Sequence, residues 1–137
     1  MLPMADLTAA LHDELASHDA FMWVIGKATA RAQRLGTTVA VVILDIHNVP
    51  DALDIEWQLG ERLLVAARAD DTAAQLGPGV FGFVTEGHLT TSDVEELTTR
   101  IGNALEVPLR TANGGIVLPS VRASITMLGT PAPCNRQ

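Results

Sequence analysis

The 137-residue chain has a single cysteine, Cys134, in its last segment PAPCNRQ. One cysteine excludes a disulfide framework and a Cys-based zinc site. Positive charge is scarce: 9 basic residues stand against 16 acidic ones, Lys27 is the only lysine, and the formal net charge is -7. Partners rich in phosphate need a positive face, so this balance excludes a nucleic-acid binder and a polybasic membrane-surface protein. Long apolar runs are missing too. The greasiest stretch, Thr38 to Ile46, is about half of what a bilayer crossing needs. The opening MLPMADLTAALHDEL has no positive n-region and reaches acids before any long apolar run, so no targeting signal is read. There are no repeats and no low-complexity tract. The residues present, 47% hydrophobic and 18% charged, suffice for one domain with a buried core. A soluble, cytoplasmic globular domain over residues 1–130 is expected, with 131–137 as a disordered tail. The preference for Arg over Lys and the abundance of Ala hint at a high-GC bacterial genome.

Helical spacing covers Asp6 to Leu35, interrupted near Ser17-His18-Asp19, where Ser17 and Asp19 both suit an N-cap. Val24, Ile25, Ala28 and Ala32 recur on one side, Lys27, Arg31 and Arg34 lie on the other, and Gly36 stops the helix. Thr38 to Ile46 is β-branched and apolar on both parities, the pattern of a central strand covered on both faces. Asn48 and Pro50 end it. Asp51 to Arg68 read as a second helix, with Leu53, Trp57, Leu63, Leu64 and Ala67 as its buried side. Strands Ala73–Leu76 and Val80–Thr85 form a hairpin across Gly77-Pro78-Gly79. Ser92 and Glu95 read as a capping box, opening a helix with the apolar stripe Val94, Leu97, Ile101 and Leu105 that Pro108 closes. Two last strands, Leu109–Ala112 and Val121–Leu128, flank Gly114-Gly115. The order helix, strand, helix, hairpin, helix, hairpin predicts an α/β (α+β) sandwich, ferredoxin-like or cyclase-like. Its central, mostly antiparallel sheet is expected to have five strands flanked by helices.

The strand ending VVILDI, the helix after it, the hairpin turn Leu-Gly-Pro-Gly-Val-Phe and the later strand ASIT resemble the GGDEF domain of bacterial diguanylate cyclases. The likeness runs from about Leu11 to Thr130 and rests on order and spacing. It implies the nucleotide-cyclase-like fold and a chemistry in which two GTP become cyclic di-GMP, with phosphate charge neutralised by Mg²⁺ on carboxylates. Asp45 fills the family's acid at the end of the first strand. The signature turn stands here as Gly77-Pro78-Gly79-Val80-Phe81, so Gly79 and Val80 replace two acids. Pro78 removes a backbone N–H that would face the phosphates. Leu53 stands where the family has a guanine-reading Asn, the family's Gly-Asp pair meets Gly60-Glu61 only after a one-residue deletion, and His47 replaces an aspartate. Losing one metal carboxylate alone costs orders of magnitude in rate. The resemblance therefore implies a degenerate domain that is not an enzyme, with no catalytic residue, metal or cofactor.

One motif of the family is intact. Arg68-Ala69-Asp70-Asp71 stands five residues before the signature turn, at the place where many cyclases bind inhibitory cyclic di-GMP. A guanidinium can fork onto a guanine edge or a phosphate, and a carboxylate can accept from guanine N1 and N2. Arg100 lies within one residue of the family's second inhibitory arginine. Arg68, Asp71 and Arg100 are thus the candidate ligand-binding residues. Each has an alternative: Arg68 and Asp71 as an ion pair at a helix end or an unused inheritance, Arg100 as an ordinary exposed helix residue. Asp45 is expected to cap the turn after its strand. The four histidines (His12, His18, His47, His88) show no ligand spacing. Two functions follow from the resemblance. One is a cyclic di-GMP-binding signalling module that passes its signal to an unidentified protein partner. The other is a nucleotide-free interaction or dimerisation module, so a homodimer is also open.

Overall fold

The computed structural model describes residues 15–67 and 71–129. Cys134, the 131–137 tail and Arg68 lie outside the described residues. Nine elements follow one another: α1 (His18–Leu35), β1 (Thr38–His47), α2 (Leu53–Ala66), β2 (Thr72–Gly77), β3 (Val80–Gly87), α3 (Thr91–Leu105), β4 (Leu109–Arg110), β5 (Ile116–Val117) and β6 (Ser120–Gly129).

Helix α1 starts where the sequence offers its cap. Ser17 is extended, and its side chain accepts the Ala20 N–H at 3.2 Å. Helix α3 starts two residues earlier than the spacing suggests. Thr90 and Asp93 form the capping box by exchanging bonds of 3.0 Å, which leaves Ser92 and Glu95 exposed inside the first turns. The Thr90 bonds also hold the Asp93 carboxyl below the ordinary carboxylate range.

The central sheet has the strand order β2-β3-β1-β6, with every neighbouring pair antiparallel. β1 is interior, as its two apolar parities predict. Val39 and Val41 pack with Phe21, Ala28 and Ala32 of α1 on one face. Ala40, Val42, Leu44 and Ile46 pack with Ile55, Leu59 and Leu63 of α2 and with Val94, Ile101 and Leu105 of α3 on the other. The fold class is therefore the expected one: an antiparallel sheet between helical layers.

The expected five-stranded sheet has four strands, and the reason is local. Leu109–Arg110 pairs with Ile116–Val117 as a separate two-stranded ribbon. The turn between them is tight: Gly115 N–H donates to Thr111 Oγ1 at 2.8 Å, Thr111 N–H donates to the Gly115 carbonyl at 2.9 Å, and Gly114 sits at φ 90°. Pro119 then ends the ribbon, and β6 pairs with β1 over its whole length. The second hairpin thus joins 109–110 to 116–117 instead of 109–112 to 121–128. Leu53 also departs from expectation. It opens α2 and is 52% exposed, whereas Leu63 is buried and Trp57 and Leu64 pack partly against the core.

Gly82 explains how α1 approaches the sheet so closely. A Cβ there would stand 3.0 Å from Cζ of the buried Phe21 ring and 3.2 Å from the Val42 carbonyl oxygen. The ring has no free volume to retreat into, and the carbonyl is fixed in the sheet. Gly82→Ala is therefore expected to cost about 1–3 kcal/mol by overpacking. Urea unfolding measures this, and a variant within about 0.5 kcal/mol of the parent would overturn the packing account.

Candidate functional site

The β2–β3 turn meets the start of α2 and the residues that enter α1. Between them lies a cleft of about 480 Å³. Leu15, Leu53, Leu76 and Pro78 give it apolar walls, and His18, Asp51, Glu56 and Gln75 are its polar members. Gly79, the third residue of the turn, adopts φ 69° and faces the Ile46 carbonyl, which a Cβ would meet at 3.2 Å. Backbone hydrogen bonding locks it there, the Ile46 N–H donating to the Gly79 carbonyl at 2.8 Å. A residue with a side chain would be strained at this point.

Glu56 is the charged group that organises the cleft. It is 9% exposed, and its carboxylate accepts the Gly79 N–H at 3.0 and 3.2 Å while also accepting from Gln75 Nε2. Burial raises its carboxyl above the ordinary value, and the Gly79 N–H pulls it back. Asp51 raises it further, and Gln75 lowers it. Sequence reasoning missed Glu56. The available signal is its position in the buried stripe Ile55, Glu56, Leu59, Gly60 and Leu63, where an acid needs a donor.

Asp45 and His47 sit together at the end of β1, Oδ2 to Nε2 3.3 Å apart, both about half-exposed and neither lining the cleft. Asp45 thus meets a histidine where a turn cap was expected. A Mg²⁺ seat at the signature turn calls for converging carboxylates. Gly79 brings none, Glu56 is engaged by N–H donors, and no three His, Cys, Asp or Glu side chains converge among the described residues. These residues do not fit that ion.

The expected ligand-binding residues lie elsewhere. Asp71, partly exposed, immediately precedes β2, roughly 20 Å from the turn at the usual rise per strand residue. Thr72 pairs with Val84, so the register continued by one residue sets Asp71 level with Thr85, on the α3 face of the sheet. Arg100 is exposed on α3. It lines a depression of about 330 Å³ that also includes Thr85, His88, Asp93 and Glu96. Asp71 and Arg100 therefore share one face and one end of the sheet, away from the cleft.

The raised Glu56 carboxyl has a consequence for stability. A carboxyl held above its unfolded value of about 4.5 favours the fold while protonated. That contribution is complete at low pH and declines as pH rises through the raised value. Glu56→Gln keeps an acceptor for Gly79 but cannot ionise. Its stability relative to the parent is expected to rise between about pH 4 and pH 8 in urea titrations. Parallel pH profiles for the two proteins would refute this.

No protein-family model and no curated protein matches the chain. Solved structures do. The GGDEF domain of the Pseudomonas aeruginosa protein called TpbB or YfiN superposes with a TM-score of 0.75 at 18% identity, covering 85% of this chain and 75% of that one. The GGDEF domain of DgcB from Caulobacter crescentus, solved in complex with c-di-GMP, gives 0.66 at 21% identity, covering 82% and 71%. The P. aeruginosa diguanylate cyclase SiaD, solved with its activator SiaC, gives 0.75 at 15% identity, covering 96% of this chain and 56% of SiaD. With the antiparallel sheet, the helical layers and the β2–β3 turn in register with these structures, the chain has the fold of a GGDEF domain.

Proposed function

We propose that this GGDEF-like domain is catalytically inactive and binds cyclic di-GMP through Arg68, Asp71 and Arg100, passing the signal to a protein partner. The observation that carries the reading is the convergence of Asp71 and Arg100 on one face and one end of the sheet, beside the Thr85 depression. Asp71 offers a carboxylate to guanine N1 and N2, and the two arginines offer forks for a guanine edge or a phosphate. The DgcB neighbour, bound to c-di-GMP, and SiaD, bound to its activator, lend support for a nucleotide and for a protein partner in turn.

The cleft supports inactivity. Glu56 holds the turn N–H that a phosphate would need, Leu53 and Pro78 present carbon where the cyclase resemblance calls for polar groups, and Gly79 supplies no metal ligand. A nucleotide-free interaction module is the second reading, favoured by Met22 and Trp23 standing 53% and 65% exposed on α1.

GTP with Mg²⁺ or Mn²⁺ is expected to give no cyclic di-GMP. Product above a no-protein control, from material free of host cyclase, would sink the inactive reading. Calorimetric titration with cyclic di-GMP is expected to show binding that Arg68→Ala weakens about ten- to a hundredfold, the worth of one charge-assisted contact. Asp71→Ala is expected to hurt guanine nucleotides more than adenine ones. Absent binding, or equal binding in Arg68→Ala, leaves the interaction module as the function.

A further inference from the structure

The two edges of the central sheet are treated differently. β2, at one edge, is six residues long, and its register shifts between Gln75 and Gly77. The segment before α1 also covers it: Ala16 N–H donates to the Ala73 carbonyl at 2.8 Å, and Gln75 N–H donates to the Ala16 carbonyl at 3.3 Å. Shortness, a bulge and a covering segment are three devices that blunt an edge. β6, at the other edge, has none of them. It runs ten residues, pairs with β1 without a register shift, contains no proline and carries one charge, Arg122.

The direction of its free backbone groups can be read. Val121 N–H donates to Glu106 Oε2 at 2.9 Å and so points away from β1. Alternation then turns the N–H and C=O groups of Ala123, Ile125 and Met127 outward as well. Their side chains share one face: Ala123 is exposed, and Ile125 and Met127 pack partly against the α2–α3 core. Arg122, Ser124 and Thr126 are exposed on the other face. Just ahead of the strand, Ile116 and Leu118 are 65% and 66% exposed.

We infer that the outer edge of β6 pairs antiparallel with β6 of a second copy of this chain, across a two-fold axis at Ile125. This inference is independent of the nucleotide site. The occupant follows from the strand's own pattern. About that axis Ala123 meets Met127 of the copy, Ile125 meets Ile125, Ser124 meets Thr126 and Arg122 meets Leu128. Apolar residues face apolar ones on the core side, the polar residues Ser124 and Thr126 meet on the other, and the two Arg122 side chains lie at opposite ends. The electrostatics therefore permit the pairing despite a net charge of -7 per chain. The three outward-facing residues that Glu106 leaves open take up the new ladder. Ile116 and Leu118 lie beside its end and add apolar area, which a ladder alone lacks for a stable interface.

Sedimentation velocity over a dilution series, joined to amide exchange, tests the pairing. The mass is expected to double with concentration. Ala123, Ile125 and Met127 amides are expected to gain protection in step, while Ser124 and Thr126, bonded to β1, stay protected throughout. Ser124→Lys/Thr126→Lys sets lysine opposite lysine across the axis, at exposed positions that the monomer's core does not use. It is expected to weaken association at least about tenfold and to leave the unfolding midpoint at high dilution unchanged. A chain that stays monomeric at every concentration, or a dimer indifferent to both lysines, overturns the inference. Cyclic di-GMP binding bears on neither outcome.

Discussion

Burial of β1 on both faces is the constraint from which the architecture follows. A strand with apolar side chains on both parities needs a helical layer on each side and a hydrogen-bonded neighbour on each edge. α1 supplies one layer, α2 and α3 the other, and β3 and β6 the neighbours. The core is accordingly two clusters separated by the sheet. Gly82 lets the thinner cluster close, because α1 brings only Phe21, Ala28 and Ala32 as fully buried residues to that face. Arg31 adds a surface tie from the same helix, its fork on Glu86 of β3 closing at 2.6 and 2.8 Å. That tie is exposed, so its net worth is small beside the apolar layer.

At the cleft, opposing terms are balanced on one carboxylate. Desolvation of Glu56 works against the charged form, and the Gly79 N–H and the Gln75 amide work for it. The raised carboxyl says that burial wins the contest over protonation. The carboxylate nevertheless joins α2 to the β2–β3 turn, and it does so with the backbone group that an anionic ligand would otherwise approach. The same helix is tied at its other end. Arg62 donates to the Val107 and Pro108 carbonyls, and Gln58 donates to the Arg110 carbonyl at 2.8 Å.

Legibility of the sequence tracked the range of the interaction. β1, the β2–β3 hairpin and the Ser17 cap were readable because periodicity, turn chemistry and capping are written over a few adjacent residues. The start of α3 was misplaced by two residues because Thr90-Asp93 and Ser92-Glu95 carry the same local code, and packing decides between them. The fifth strand was lost to the Thr111–Gly115 turn, whose hydroxyl and amide bonds close a ribbon too short to show alternation. At the site, the residues named from the resemblance were legible as types. Glu56 was not, because its role depends on Gly79 and Gln75, each about 20 positions away in the chain. The face shared by Asp71 and Arg100 likewise needed the register of β2 against β3.

The bonds at the two ends of α2 give that helix a mechanical character. Helix α3 ends at Glu106 in a right-handed conformation, without the left-handed residue that closes many helices. Arg62 takes over the carbonyls just beyond it, and Gln58, one turn earlier on the same side of α2, takes the next along. The ribbon is therefore geared to the rotation of α2 about its own axis, and Glu56 gears the β2–β3 turn to the same rod. A small twist of α2 turns both ends together, like a shaft between two cogs. A substitution at the ribbon, well away from the cleft, thus acts on the geometry of Gly79 without touching it.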